Sequence, residues 1–216
     1  MIHTLEADSI LLEIGARKIL SDIYLKCETG KITGLLGRNG QGKSCLMNVL
    51  FGNLKARHKS IRLDTQPIKN IDSSISTYLP QANFIPKSST IKQVFYFFNL
   101  DFDHFTDRFP DFKMKYDFKF LNLSTGQRRL VEIYALIMCR SKFTLLDEPF
   151  SNLSPITVEL VKDLIITEKS NKGFLITDHL YAHIIEISDT IYLLSEGKTR
   201  LISDLDEMKS LGYING

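Results

Sequence analysis

The chain has 216 residues, of which 44% are hydrophobic and 24% are charged, and its formal net charge is +2. A chain of this length and composition buries an ample core, which excludes a disordered protein or a small scaffold that needs disulfides. The near balance of charge gives no support for nucleic acid as a partner.

Two features of the sequence indicate a cytoplasmic protein. The longest apolar runs, such as residues 135–139, are far shorter than the roughly 20 residues that cross a bilayer. Residues 1–8 lack the basic and apolar regions of a secretion signal. We therefore expect a cytoplasmic chain that sits on the inner face of the cell membrane only through a partner.

The first predicted elements are short strands. Residues 9–13 and 19–27 are typical of paired strands around a turn at residues 15–18. Residues 31–36 form a third, apolar strand, and the apolar residues in 46–51 mark the inner face of a helix. A glycine-rich loop lies between that strand and that helix.

This loop matches the whole phosphate-binding pattern G-x-x-x-x-G-K-[ST]. Its glycines allow the backbone to wrap round a phosphate, so that several N–H groups point at oxygen atoms. Lys43 can reach the β- and γ-phosphates, and the Ser44 hydroxyl can bind Mg²⁺. The sequence therefore predicts a nucleoside triphosphate site. Its residues are Gly37, Arg38, Asn39, Gly40, Gln41, Gly42, Lys43, Ser44 and Cys45.

Phenylalanine is concentrated in one segment, since nine of the fourteen lie within residues 94–120. Several recur at steps of three and four, and Pro110 should end this helical pattern near Phe109, which predicts short helices. We interpret residues 88–140 as a helical lobe inserted in a single domain that spans residues 1–216. The phenylalanines either fill this small lobe or face outward to receive a partner's helix.

The second half of the chain alternates helices with strands. Helices are predicted from residue 124 to about 139, at 155–169 and at 179–187, and strands at 143–146, 174–177 and 191–194. Such alternation predicts an α/β fold with a mostly parallel sheet, to which the N-terminal strands add an antiparallel β subdomain.

Two carboxylates, Asp147 and Glu148, follow the apolar strand at residues 143–146. We expect them to emerge at the carboxyl end of the sheet, where open α/β sheets bind ligands. Asp147 suits Mg²⁺, and Glu148 suits polarisation of an attacking water molecule. The alternative, a solvated turn after a strand, is less favoured behind a phosphate-binding loop.

Ser124 and Gln127 have the spacing of a capping box, which predicts the start of a helix. Gly126 leaves the first turn of this helix without a side chain, so backbone N–H groups and the Ser124 hydroxyl could meet an anion. The segment is either a well-capped helix and no more, or a second helix start that faces phosphate.

Together these motifs resemble those of the nucleotide-binding subunits of ATP-binding cassette (ABC) proteins, which have a RecA-like P-loop NTPase fold. Residues 37–44 match the family's Walker A loop and residues 145–148 match Walker B. Gln81 falls where the Q-loop lies, and His179 matches the switch histidine. Residues 123–155 and the Thr-Asp-His switch look most similar to cassettes for lipopolysaccharide export and branched-chain amino acids.

The resemblance implies a head-to-tail dimer, of two copies or of two paralogous subunits, with each ATP held between the Walker A loop of one subunit and the signature residues of the other. The signature residues are Leu123, Ser124, Thr125, Gly126 and Gln127, and Thr125 stands where the family usually has glycine. Glu148 would be the general base, and His179 would hold the γ-phosphate and the water. Mg²⁺ would be bound by Ser44, Gln81 and Asp147. A membrane permease would dock near Gln81 and the phenylalanine-rich lobe.

Two further positions depart from the family pattern. Ile14 stands where an aromatic residue usually stacks on adenine, and Ser154 stands where aspartate is usual. The substitution at Ser154 suggests weaker communication between the two ATP sites. We expect an ATPase subunit of an ABC transporter. The alternatives are an ABC ATPase that takes no part in transport and a weakly hydrolysing, ATP-gated dimerisation module.

Overall fold

The computed structural model describes residues 2–69 and 71–210. Short 3₁₀ turns lie at Pro110–Phe112 and Phe120–Asn122. The strands and helices, in chain order, are β1 (Thr4–Ile14), β2 (Arg17–Leu20), β3 (Tyr24–Glu28), β4 (Ile32–Leu36), α1 (Lys43–Phe51), β5 (His58–Leu63), β6 (Gln66–Pro67), β7 (Ser76–Leu79), α2 (Ile91–Phe98), α3 (Phe102–Arg108), α4 (Thr125–Met138), β8 (Phe143–Asp147), α5 (Pro155–Glu168), β9 (Gly173–Thr177), α6 (Tyr181–Ile187), β10 (Thr190–Ser195), β11 (Lys198–Ile202) and α7 (Leu205–Ser210).

Six strands form the central sheet in the order β11-β10-β4-β9-β8-β7. All neighbouring pairs are parallel except β10 with β11. Strands β4, β7, β8 and β9 are buried along their whole length, as expected for parallel strands that are covered on both faces. Their carboxyl ends meet at one edge of the sheet, so the loops that follow them converge there. The expected mostly parallel α/β sheet is confirmed.

The N-terminal strands form the second, antiparallel sheet, with β1 paired to β2, β3 and β5. The prediction of one strand at residues 19–27 is wrong, because β2 pairs with the end of β1 and β3 pairs with its beginning. A bend at residues 21–23 separates β2 from β3, so the two strands can pair with opposite ends of β1. The prediction also missed β11, which extends the central sheet beside β10.

The predicted short helices in the phenylalanine-rich segment are confirmed, and the helical pattern breaks before Pro110. Aromatic rings form the core of this region: the ring centroids of Phe95 and Phe105 are 5.2 Å apart, and those of Phe105 and Tyr134 are 4.7 Å apart. The expectation that phenylalanines fill the lobe holds for Phe105, which is buried, whereas Phe97 is 80% exposed. That such an outward-facing ring receives a partner's helix stays a prediction. In the part of the chain that the structure describes, no helix is both long and apolar enough to cross a membrane.

Candidate functional site

The glycine-rich loop runs from the end of β4 to the start of α1, as predicted. Gly40 and Gly42 have φ angles of +81° and +98°, a region that L-residues with side chains rarely adopt. At Gly37 a Cβ would lie 2.6 Å from the carbonyl oxygen of Leu194. Gly42 caps α1 without a side chain, so the first N–H groups of the helix are available to an anion. These glycines give the loop the curvature that a phosphate requires.

Lys43 folds back into this loop. Its Nζ donates to the carbonyl oxygens of Gly37, at 2.6 Å, and of Arg38, at 3.4 Å. Burial lowers the pKa of Lys43, and the carboxylates of Glu148 and Asp147 act in the opposite direction. The ammonium group therefore lies inside the curve of the loop, where it is poised to meet the phosphates.

The other loop residues have different surroundings. Arg38 and Asn39 are exposed, and Cys45 is half-buried. The side-chain carbonyl of Gln41 accepts a hydrogen bond of 2.9 Å from the backbone N–H of Glu196, which joins the loop to the turn between β10 and β11. Ile14 lies at the end of β1 and is 54% exposed, so it offers an aliphatic surface but no aromatic ring.

Asp147 is the last residue of β8 and is only 1% exposed, so the expectation that both carboxylates emerge from the sheet holds for Glu148 alone. Tyr78 on β7 donates a hydrogen bond of 3.1 Å to Asp147 Oδ2, and Asn48 on α1 donates to the Tyr78 hydroxyl at 3.0 Å. Burial is the main reason that the pKa of Asp147 is raised. Tyr78 could not be recognised as a site residue from the sequence, because its partners are distant along the chain.

The residues expected to bind Mg²⁺ fit a divalent cation. Asp147 Oδ1 is buried and makes no hydrogen bond of ordinary geometry, although Ser44 is near enough to lower the pKa of the carboxyl group. Gln81 Nε2 donates to Ser44 Oγ at 3.0 Å. Ser44 Oγ and the buried Oδ1 of Asp147 are oxygen ligands of the kind that Mg²⁺ prefers, and Gln81 would bind the ion through its amide oxygen once the amide turns over.

Gln81 also joins the loop to Glu148, because its Nε2 donates to Glu148 Oε1 at 2.8 Å. His179 Nδ1 lies 3.8 Å from Glu148 Oε2 and 3.2 Å from Asp178 Oδ1. Asp178 is buried, and it accepts hydrogen bonds from the backbone N–H groups of Phe150 and Leu180. Ser44, Gln81, Glu148 and His179, which are far apart in the sequence, therefore meet at the carboxyl edge of the sheet.

Helix α4 contributes two buried side chains that the sequence reasoning missed. Arg129 donates to the carbonyl oxygens of Pro80, Asp147 and Glu148, at 2.7, 2.8 and 3.0 Å. Glu132, one turn along the helix, accepts hydrogen bonds from residues 83–85. In the sequence, both are charged residues on the apolar face of the helix, which indicates that they have buried polar partners. The sequence does not show which residues those partners are.

The signature residues lie on a different surface. The predicted capping box is confirmed, since Ser124 Oγ accepts from the Gln127 N–H and the Gln127 side chain accepts from the Ser124 N–H. Gly126 allows close packing, because a Cβ there would lie 2.6 Å from the carbonyl oxygen of Asn152. Ser124, Gly126 and Gln127 line a cavity of about 520 Å³ between α3 and α5, and none of the described loop residues 37–44 lines it.

A second cavity, an apolar groove of about 550 Å³, begins three residues beyond Gln81. It is lined by Phe84, Ile85, Pro86, Ser89, Gln93, Val94, Tyr96, Phe97 and Phe98. Tyr96 and Phe97 on α2 are 88% and 80% exposed and stand at its rim. We call these nine residues the lobe groove.

The family model and the similar proteins agree on one family. The family model described as "ABC transporter" matches residues 20–151. Lipopolysaccharide export system ATP-binding protein LptB of Haemophilus influenzae is 29% identical over 90% of this chain and 88% of its own. An uncharacterized ABC transporter ATP-binding protein, YhaQ of Bacillus subtilis, is 27% identical over 95% of this chain and 72% of its own.

Solved structures show the same fold. The ATP-binding subunit of an ABC transporter has a TM-score of 0.80 and 18% identity, covering 97% of this chain and 93% of that one. A bacterial Atm1-family ABC exporter with ATP bound has a TM-score of 0.83 and 21% identity, covering 96% of this chain and 40% of that one. The expected P-loop NTPase fold is therefore confirmed.

Proposed function

Since this chain belongs to the ABC transporter family, we propose that it binds and hydrolyses ATP as one half of a head-to-tail dimer and so powers a separate membrane permease. The observation that carries the proposal is the contact of Gln81 with both Ser44 Oγ and Glu148 Oε1, at 3.0 and 2.8 Å. It brings the end of the phosphate loop and a carboxylate to one point beside Lys43.

In the proposed reaction, Glu148 takes a proton from a water molecule as that water attacks the γ-phosphorus. The bond between the γ-phosphorus and the bridging oxygen breaks, and ADP leaves with the electron pair. Lys43 and the loop N–H groups hold the phosphates, and His179 orients the γ-phosphate and the water. Bound to Ser44, Gln81 and Asp147, Mg²⁺ would neutralise charge on the phosphate oxygens.

The separation of the signature residues from the phosphate loop supports the dimer. Ser124, Gly126 and Gln127 form a capped helix start, which attracts an anion, but they line a cavity away from the loop of the same chain. A partner's bound ATP would satisfy them. Attraction to phosphate charge from both subunits would then close the dimer, and hydrolysis would release it.

The lobe groove supports a permease partner. Its rim residues Tyr96 and Phe97 are apolar and exposed, as in grooves that receive an amphipathic helix. Through such a partner the chain would lie on the cytoplasmic face of the membrane. Several relatives are named as transport subunits, including arabinose import ATP-binding protein AraG of Pectobacterium atrosepticum. They favour transport over an ABC ATPase without transport or a weakly hydrolysing dimerisation module.

Glu148→Gln tests the catalytic and dimer proposals together. The amide cannot take a proton, so we expect hydrolysis to fall about 10²- to 10³-fold and ATP to hold the protein as a dimer. ATPase assays and light scattering with ATP measure both effects. Glu159→Gln, at an exposed carboxylate on α5, is the control. A Glu148→Gln protein that stays monomeric with ATP would contradict the dimer.

A further inference from the structure

Glu148 has a strained backbone. Its φ angle is +52°, in the left-handed region that residues with side chains avoid. Such a conformation persists only where surrounding contacts hold it. Its N–H donates to the carbonyl oxygen of Thr177 at 2.8 Å, which fixes one side of the residue.

Arg129 fixes the other side. Its guanidinium nitrogen Nη2 donates to the carbonyl oxygens of Asp147 and Glu148, which are the two peptide oxygens that flank the strained residue. A second guanidinium nitrogen, Nη1, donates to the carbonyl oxygen of Pro80, directly before Gln81. One buried planar group therefore ties together the backbones that carry Gln81 and Glu148, whose side chains meet at 2.8 Å.

Glu132 extends this connection to the lobe groove. It is fully buried, and its Oε1 accepts from the N–H groups of Phe84 and Ile85 at 2.9 and 3.1 Å. Its Oε2 accepts from Asn83 Nδ2 at 2.8 Å. Phe84 and Ile85 line the groove. A single turn of α4 thus holds the wall of the groove, the segment of Gln81 and the peptide of Glu148 in one hydrogen-bonded unit.

We propose that Arg129 is a positioning residue that holds Glu148 in its strained, reactive orientation, and that Glu132 connects this arrangement to the lobe groove. The inference rests on the proposed role of Glu148 as general base. In the described contacts, Arg129 bonds to backbone oxygens of this region, and to none of the side chains expected to hold the phosphates or Mg²⁺. Its loss should therefore slow the chemical step and leave ATP affinity nearly unchanged.

The test is a double-mutant cycle on the full chain with Arg129→Met and Glu148→Gln. We expect Arg129→Met to lower kcat about 10- to 100-fold, with the Kd for ATP within about threefold of the unaltered protein. If Arg129 acts through Glu148, the double variant should hydrolyse ATP at the rate of Glu148→Gln alone. Arg129→Lys, which keeps the charge but reaches fewer carbonyls, should have a kcat between those of Arg129→Met and the unaltered protein.

Arg62→Met is the matched control, because Arg62 on β5 pairs with Glu6 and Asp8 far from the site. The inference is overturned if Arg129→Met matches this control in kcat, if ATP affinity falls as much as kcat, or if the losses multiply in the double variant. Should Arg129→Met show no cooperative unfolding transition, the same cycle with Arg129→Lys decides by the same criteria. Normal hydrolysis by Glu148→Gln would overturn the proposed base, whereas normal hydrolysis by Arg129→Met beside an inactive Glu148→Gln overturns this inference alone.

Discussion

Ser154 caps helix α5, but as a neutral side chain it differs in charge from the aspartate that the family usually has at this position. Its Oγ accepts from the Thr157 N–H at 3.2 Å and so caps α5. Aspartate, which the family usually has here, caps helices as well as serine does. The fold therefore does not require serine, and the difference concerns the charge that the position presents.

We expect Ser154→Asp to raise the Hill coefficient for ATP hydrolysis towards 2, the number of sites in the proposed dimer. The reason is that a carboxylate can make charged contacts across the dimer that a hydroxyl cannot. Ser154→Asn, a neutral cap, is the control and should leave the coefficient unchanged. Equal coefficients for Ser154→Asp and the unaltered protein would show that residue 154 does not limit communication between sites.

The positions of the phosphate-loop residues could be predicted because a local motif fixes them. Lys43 and Ser44 follow a strand and open a helix, and no distant contact is needed to place them. Arg129 and Tyr78 could not be predicted, because Arg129 donates to Pro80, 49 residues away, and Tyr78 donates to Asp147, 69 residues away. A single sequence contains nothing that pairs such positions.

Helix α4 is the element on which most of the site depends. The signature residues lie at its N-terminus, and its second turn carries Arg129 and Glu132. The carbonyl oxygen of its C-cap residue Cys139 accepts a hydrogen bond of 2.7 Å from Lys172 Nζ. The capping box made its start predictable from sequence to the residue. The support of its end was not predictable, since Lys172 lies 33 residues further along, before β9.

Lys172 should make the stability of the fold depend on pH. It is buried, and burial lowers its pKa. The unfolded chain, where the lysine pKa is about 10.4, then binds the proton more tightly than the folded chain does. The contribution of Lys172 to the free energy of unfolding therefore rises as pH increases from its lowered, folded-state pKa towards about 10.4.

We expect the free energy of unfolding of the unaltered protein, relative to Lys172→Met, to increase between pH 7 and pH 10. Urea unfolding of both proteins at the two pH values measures the difference. The exposed Lys87→Met controls for the loss of a lysine in general. A difference between the unaltered protein and Lys172→Met that shrinks as pH rises would contradict the expected direction.

At the scale of the whole molecule, the parallel sheet brings the loops of the candidate site to one edge, and the lobe carries the groove with its exposed aromatic rim. The alternation of helices and strands in the sequence predicted the sheet. The division of residues 17–28 into β2 and β3, and the place of β11 beside β10, depend on which strands pair, and the sequence does not show this. The phenylalanine pattern predicted helices in the lobe. It could not separate Phe105, which is buried, from Phe97, which is exposed, because both lie on short helices in similar sequence.

Phe97→Asp tests the proposed membrane partner. The side chain is exposed, so the fold and ATP affinity should be retained, while a charge at the rim of the lobe groove should disrupt apolar docking. We expect at least a tenfold smaller fraction of the protein to sediment with native membranes, since a buried aromatic contact contributes about 2 kcal/mol or more. Met114→Asp, at a side chain that is 88% exposed but lies outside the groove, is the control. Equal membrane fractions for the two variants would contradict docking at the groove.

The exposed rim of Tyr96 and Phe97 has a consequence for the life of the protein in the cell. A copy without the proposed partner would display this apolar surface, which is what chaperones and proteases recognise on incompletely assembled proteins. Surplus copies should be removed faster than assembled ones. The rim would then act as a quality-control mark that matches the amount of this chain to the amount of its partner.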